Sequence, residues 1–384
     1  MARKGRKTEM KAFTGGKIVL ENSVQEGKAL LFDEKIIGVC EMSEIPSDAE
    51  TIDASDKLIL PGLIDVHTHG CVGEDSSDGS LEGMHKMATE LVKTGVTAFC
   101  PTTMTLPYDV IEAAFEVARV EQKNFDGKSA YVLGVNCEGP FISYARKGAQ
   151  AGEHIKNPDV ALMERHRDIL RLVTVAPEVD GSLDFIRKTT EMGIRVSIGH
   201  SDCDYECAMA AIEAGVTHFT HLFNAMTLFD YRKGSPVVAA LSSDAFCEII
   251  GDTFHVHPGL YPFLSKAKGD RMVLITDSMR AAGMPEGEYS LGGQAVIVED
   301  GICRLKDGTI AGSVLRLNEA LRNVRSNTSL PLYTVVAMAT LNPAKSIGAD
   351  NERGSIEAGK RADLVVCDDD FNVISTYIGG EKVY

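Results

Sequence analysis

Nowhere does this chain carry an apolar run long enough to cross a membrane. Each one is cut by Gly, Pro or a charged residue before it reaches the roughly 20 residues that a span needs. The basic start, Met1 to Lys7, has no apolar stretch behind it, so it reads as a solvated tail and not a secretory signal. No CxxC pair occurs, and the nine cysteines are odd in number and scattered. That argues against a disulfide framework and for a reducing, cytoplasmic location. Only Cys203 and Cys207 are close in sequence, and no second thiolate pair completes a structural zinc site. Positive charge is also scarce, with 39 Lys and Arg against 55 Asp and Glu and a net charge of −16. Such a field repels nucleic acid and acidic membranes, so neither is expected as a partner. An anionic ligand would therefore need a local basic group.

What is present is a long, ordinary globular composition: 384 residues, 44% hydrophobic and 24% charged. That supports a large core and exceeds one average domain. Short β-type runs occupy the beginning (16–20, 29–32, 35–39) and the end (362–367, 373–378). Between them, strand-like runs begin near Leu58, Gly95, Ala130, Leu172, Arg195, Val216, Glu248 and Met272. Helical stretches intervene, such as Val110 to Val120, Leu183 to Met192 and Tyr205 to Ala214. The alternation predicts an α/β fold: a (β/α)8 TIM-like barrel over residues 61–349. A small β-sandwich domain built from both termini, 1–60 and 350–384, accompanies it. No Gly-x-Gly-x-x-Gly follows a first strand, which disfavours a doubly wound sheet. Residues 286–310 are expected to form a β-hairpin insertion.

The chemistry gathers at the strand ends. His67 and His69 follow the first apolar run, and alternate residues of a strand face the same way. Glu138, His200, His221, His255 and Asp277 follow later strands at equivalent depth. In a barrel this is where an active site forms. With His255 beyond the direct ligand set, four imidazoles and two carboxylates suit a divalent ion such as Zn2+ or Fe2+, one or two per subunit. Such an ion activates water to attack a carbonyl. Glu138 could serve one ion or bridge two. Asp277 could move the proton of the attacking water to a leaving amine, and His255 could polarise the carbonyl. His218 lies three residues before His221 and so faces the other way; His85, His154, His166 and His257 match no strand end. Lys86 and Lys93 are expected to be solvated on a helix.

Several segments carry a more specific signal: Pro61 to Gly70, Glu138-Gly139-Pro140-Phe141, Lys147-Gly148-Ala149-Gln150, Gly199-His200-Ser201, His221 to Met226, Asp252 to His257, Thr276 to Met279 and Ala311-Gly312-Ser313. Together they make the chain resemble the amidohydrolase superfamily, and within it the N-acetylglucosamine-6-phosphate deacetylases, over nearly its whole length. The resemblance implies that Glu138, His200 and His221 hold the main metal, and that His67, His69 and Asp277 complete a second position. It implies that Asp277 is the general base and acid and that His255 polarises the carbonyl. Asn224 and Ala225 would contact the sugar phosphate, with Ala149, Ile310, Ala311 and Gly312 lining its pocket. Arg232 falls where the family places a phosphate-binding arginine from the neighbouring subunit, so a homodimer or tetramer is implied. That guanidinium is the local cation that the acidic composition calls for; an arginine paired with Asp230 is its bland alternative. Gln150 departs from relatives with His there, and a neutral amide can hydrogen-bond a ligand without adding charge.

The implied activity is metal-dependent removal of acetate from N-acetylglucosamine 6-phosphate, giving glucosamine 6-phosphate in amino-sugar catabolism. The galactosamine epimer, another superfamily amide hydrolase or deaminase, and a barrel that has lost its chemistry are the alternatives.

Overall fold

The computed structural model describes residues 9–384, so the basic run Met1 to Lys7 lies outside the described residues. Eight parallel strands form its centre: β1 (Leu63–Thr68), β2 (Val96–Thr103), β3 (Val135–Glu138), β4 (Leu170–Val175), β5 (Arg195–Ile198), β6 (His218–Phe219), β7 (Phe246–Ile250) and β8 (Met272–Ile275). Each pairs with the next in chain order. β8 returns to β1 through individual hydrogen bonds. Asp277 N–H donates to His67 O at 2.9 Å, while the Met338-Ala339 turn accepts from Leu274 N–H at 2.7 Å and from Ile64 N–H at 2.9 Å. The strands are almost wholly buried, as expected of a parallel sheet covered on its outer face by helices. One of these, Tyr205–Ala214, starts where the Asp204 side chain accepts from Cys207 N–H and stops before Gly215. The fold is a (β/α)8 TIM-like barrel.

The apolar run from Leu58 to Ile64 departs from its expectation as one barrel strand. Leu58–Pro61 pairs with Lys17–Val19 and Leu364–Cys367 in a separate sheet, and β1 begins only at Leu63. Gly62 is the switch point, because a Cβ there would lie 2.6 Å from Thr97 Cγ2 and 2.8 Å from Thr97 Cβ. Both halves are buried on both faces, so alternation along the sequence does not separate them. The run from Ala130 also divides, into Tyr131–Val132 and β3, around Gly134 with φ +141°.

The two chain ends build a β-sandwich. One sheet runs in the order 36–41, 28–32, 11–14, 50–53; the other runs 381–382, 373–378, 364–367, 58–61, 17–19, 24–25. Phe13 and Phe32 of the first stack at 4.9 Å, and Tyr377 of the second meets Phe13 edge-on at 5.1 Å. Such aromatic pairs add about 0.5–1.5 kcal/mol each beyond area burial. Between Gly287 and Leu305 the chain forms a three-stranded antiparallel sheet, one strand more than a hairpin.

Candidate metal centre

The strand ends bring six functional side chains to one point. Glu138 ends β3, and His67 and His69 lie at the end of β1. His200, His221 and Asp277 each lie two residues beyond β5, β6 and β8. Two groups of possible ligands overlap here: His67, His69 and Glu138, and Glu138, His200 and His221. Glu138 Oε1 is 2.9 Å from His221 Nε2 and 3.2 Å from His200 Nε2, and Glu138 Oε2 is 3.2 Å from His69 Nε2. Asp277 Oδ1 lies 3.4 Å from His67 Nε2 and 3.2 Å from His69 Nε2. Glu138 thus sits between the two groups, and Asp277 faces the β1 histidines.

The backbone is bent to achieve this. His200, His221 and Asp277 have φ of +48°, +28° and +48°, a region that non-glycine residues rarely occupy and that concentrates at functional sites. Beneath His200, β4, β5 and β6 approach so closely that a Cβ at Gly199 would lie 2.6 Å from Thr220 Cβ and 2.7 Å from Thr174 Cγ2.

Three of the four imidazoles are held by Nδ1. His67 Nδ1 meets Glu248 Oε2 at 2.9 Å, His69 Nδ1 meets Thr102 O at 3.2 Å, and His200 Nδ1 meets Arg146 O at 2.9 Å. Donation from Nδ1 leaves the Nε2 lone pair aimed at the common point, the arrangement that orients metal-binding histidines. His67 Nε2 is buried without a hydrogen-bond partner among the described residues. A divalent ion fits this donor set, since mixed imidazole and carboxylate ligands suit zinc and ferrous iron.

The electrostatics agree. Burial disfavours the charge on Glu138, yet His67 and His200 overrule it and hold its carboxyl well below the usual range. Asp277 is likewise lowered against its burial, by His67 and His69. Burial would lower His67 and His69, but the surrounding carboxylates raise the first well above its ordinary value and the second to about 9. Acids that stay ionised and imidazoles that attract protons make a nest for positive charge.

A cavity of about 220 Å³ opens over these groups. Of the predicted substrate residues, Ala149, Gln150, Asn224, Ala225, His255, Ile310 and Gly312 line it. Ala311 does not line it, being fully buried behind the wall. Gln150 spends both ends of its amide inside the protein: Oε1 accepts from Thr105 N–H at 2.6 Å, and Nε2 donates to Glu138 Oε2 at 2.9 Å. His255 Nδ1 lies 2.6 Å from Asp252 Oδ2, which leaves Nε2 as the ring nitrogen available to a ligand. Arg232 stands apart from the cavity on an exposed loop, its guanidinium 4.9 Å over the Tyr231 ring. Asp230 accepts from the backbone N–H of Arg232 at 2.8 Å, and among the described residues the Arg232 guanidinium forms no ion pair with it.

Gly148, within the Lys147 to Gln150 segment, also lines the cavity, as do Met104, Leu291 and Thr309, which no local pattern marked. Leu291 belongs to the three-stranded sheet, whose apolar side packs on Met104, Ala149 and Ala311. The remaining histidines are outside the site. His218 is buried and stacks on Phe246 at 5.4 Å, His85 pairs with Glu121, and His166 packs edge-on to Phe115. Lys86 and Lys93 are solvated beside Glu74 and Glu90. All nine cysteines are free.

Comparison with known proteins follows the same lines. Residues 58–383 match the amidohydrolase family. The N-acetylglucosamine-6-phosphate deacetylase of Bacillus subtilis (strain 168) is 38% identical over 379 residues, 96% of this chain and 95% of that one. The N-acetylgalactosamine-6-phosphate deacetylase of Escherichia coli O157:H7 is 35% identical over 89% of this chain and 92% of its own. The crystal structure of N-acetylglucosamine-6-phosphate deacetylase from Pasteurella multocida superposes with a TM-score of 0.93 at 33% identity, covering 97% of this chain and 99% of that one. With strand-end histidines and acids converging on one point, and a family match over most of its length, this chain belongs to the amidohydrolase family.

Proposed function

We propose that the protein is a metal-dependent hydrolase that removes the N-acetyl group of N-acetylglucosamine 6-phosphate, releasing acetate and glucosamine 6-phosphate. The observation that carries this reading is the pair of ligand groups sharing Glu138 on the floor of a cavity whose walls include Asp277 and His255. The deacetylase relatives, which match over nearly the full chain, support the substrate.

Glu138, His200 and His221 would hold one divalent ion, Zn2+ or Fe2+, and His67, His69 and Asp277 would hold a second beside it. The ion supplies Lewis acidity toward the carbonyl and acidifies water. The chain does the rest. Asp277 accepts the proton of the water that attacks the acetyl carbon. His255, steadied by Asp252, donates from Nε2 to the oxygen on which charge develops. As the C–N bond breaks, Asp277 passes its proton to the departing nitrogen.

Arg232 is proposed to reach the phosphate bound in a neighbouring subunit of a homodimer or tetramer. The exposed Leu228, Phe229 and Tyr231 around it, at 66%, 56% and 78% exposure, form an apolar patch that a second copy would cover. Nine free cysteines fit a cytoplasmic setting. Acetate release from N-acetylglucosamine 6-phosphate and its galactosamine epimer, with metal content measured before and after chelation, tests the reading. Faster turnover of the galactosamine substrate would transfer the assignment to the epimer, and acetate release unaffected by chelation with the metal gone would remove the ion from it.

A further inference from the structure

Glu248 lies in the middle of β7, wholly buried, and belongs to neither ligand group. Its neighbours on that strand, Cys247, Ile249 and Ile250, are the small and apolar residues that a barrel core calls for. Its Oε2 accepts from two donors at once: His67 Nδ1 at 2.9 Å and the backbone N–H of His221 at 3.3 Å. Its own backbone carbonyl accepts from Leu222 N–H at 2.8 Å. One carboxylate therefore grips the ring of a residue in the first group and the backbone of a residue in the second, at the point where φ is +28°. Its Oε1 has no hydrogen-bond partner among the described residues.

Packing does not account for a glutamate here. A buried carboxylate with one unsatisfied oxygen is costly, and a well-packed apolar residue in its place is often neutral or stabilising. Its two contacts share only one property, which is that both lead directly to residues converging on Glu138. We infer that Glu248 is a positioning residue that locks the two ligand groups into one geometry. It fixes the His67 ring with Nε2 toward Glu138 and Asp277, and it clamps the bent backbone that presents His221. The charge on Glu248 also makes the His67 ring a better donor to a cation. The inference rests on the metal-site reading above and concerns how tightly the ions are held.

The test is a titration of chelated, ion-free protein with Co2+ or Zn2+ against a competing chromophoric chelator, for the wild type, E248Q and E248D. Gln keeps an oxygen for the two donors and loses the charge; Asp keeps the charge and loses the reach. Both variants should bind the ion that depends on His67 about 10–100-fold more weakly, the usual cost of losing such a supporting partner. The Co2+ visible absorption assigned to that step should fade, with the urea midpoint close to that of the wild type. A residue needed only for folding would instead lower the midpoint and leave ion binding by the folded protein as in the wild type, and that result overturns the inference. So does either variant, properly folded, matching the wild type step for step. A wild-type chain that takes up no ion would overturn the metal-site reading itself, which separates the two failures.

Discussion

Replacing Asp277 by Asn probes the proposed reaction most directly. The side chain is nearly isosteric, and an amide oxygen could still face His67 Nε2 and His69 Nε2, which now lie 3.4 and 3.2 Å from Oδ1. Two things are lost. The amide cannot accept the water proton or return it, a role that contributes about 10²–10⁴-fold in rate. The two histidines also lose a facing negative charge, which loosens the ligand group built on them. The cavity lining formed by Asn224, Ala225 and Ile310 is untouched. Turnover should therefore fall by roughly a thousandfold or more, about 4 kcal/mol of transition-state stabilisation, with KM changing far less. The assay is acetate release over a range of substrate concentrations, on protein whose metal content equals that of the wild type. A kcat within about tenfold of the wild type under that condition would remove Asp277 from proton transfer.

Other outcomes follow from the same geometry. Arg232→Ala should chiefly raise KM for the phosphorylated substrate, measured by steady-state kinetics; an unchanged KM would count against a phosphate contact. Gly62→Ala should destabilise the chain by about 1–3 kcal/mol, because the new methyl meets Thr97 at the junction of the two sheets. That cost is read as a lower urea midpoint at constant m-value, and an unchanged midpoint would refute the steric argument. His218, whose ring burial and the nearby Arg195 lower to about 3, should remain neutral at pH 5 by histidine NMR. Its unfolded counterpart binds a proton below about 6.5, so this group makes stability fall by up to about 1.4 kcal/mol per pH unit as pH drops from there toward 3. An imidazolium signal from the folded protein at pH 5 would contradict it.

The residues that were legible in advance share a property: type and position pointed the same way. His200, His221 and Asp277 are polar groups directly after apolar runs, and only a strand end of a barrel makes sense of that pattern. Glu248 has the same chemistry, but it sits inside such a run, where local reading sees only an interrupted core strand. Gln150 was legible as a pocket residue but not as a support for Glu138, because that contact depends on how the loop after β3 folds back onto the end of its own strand. The three-stranded sheet was visible as β-structure, while its contribution to the cavity wall through Leu291 depended on how it folds back over Met104. The division at Gly62 was hidden for a simpler reason: two strands in different sheets, both doubly buried, spell one uninterrupted apolar word.

The left-handed backbone at His200, His221 and Asp277 has a consequence for how such a protein can decay. Glycine is more at ease in that conformation than any residue with a side chain. Drift toward glycine at these places would erase the chemistry while relieving the scaffold, as trade-offs between stability and activity lead one to expect. For descendants of this barrel, a high melting temperature is therefore no evidence of retained catalysis.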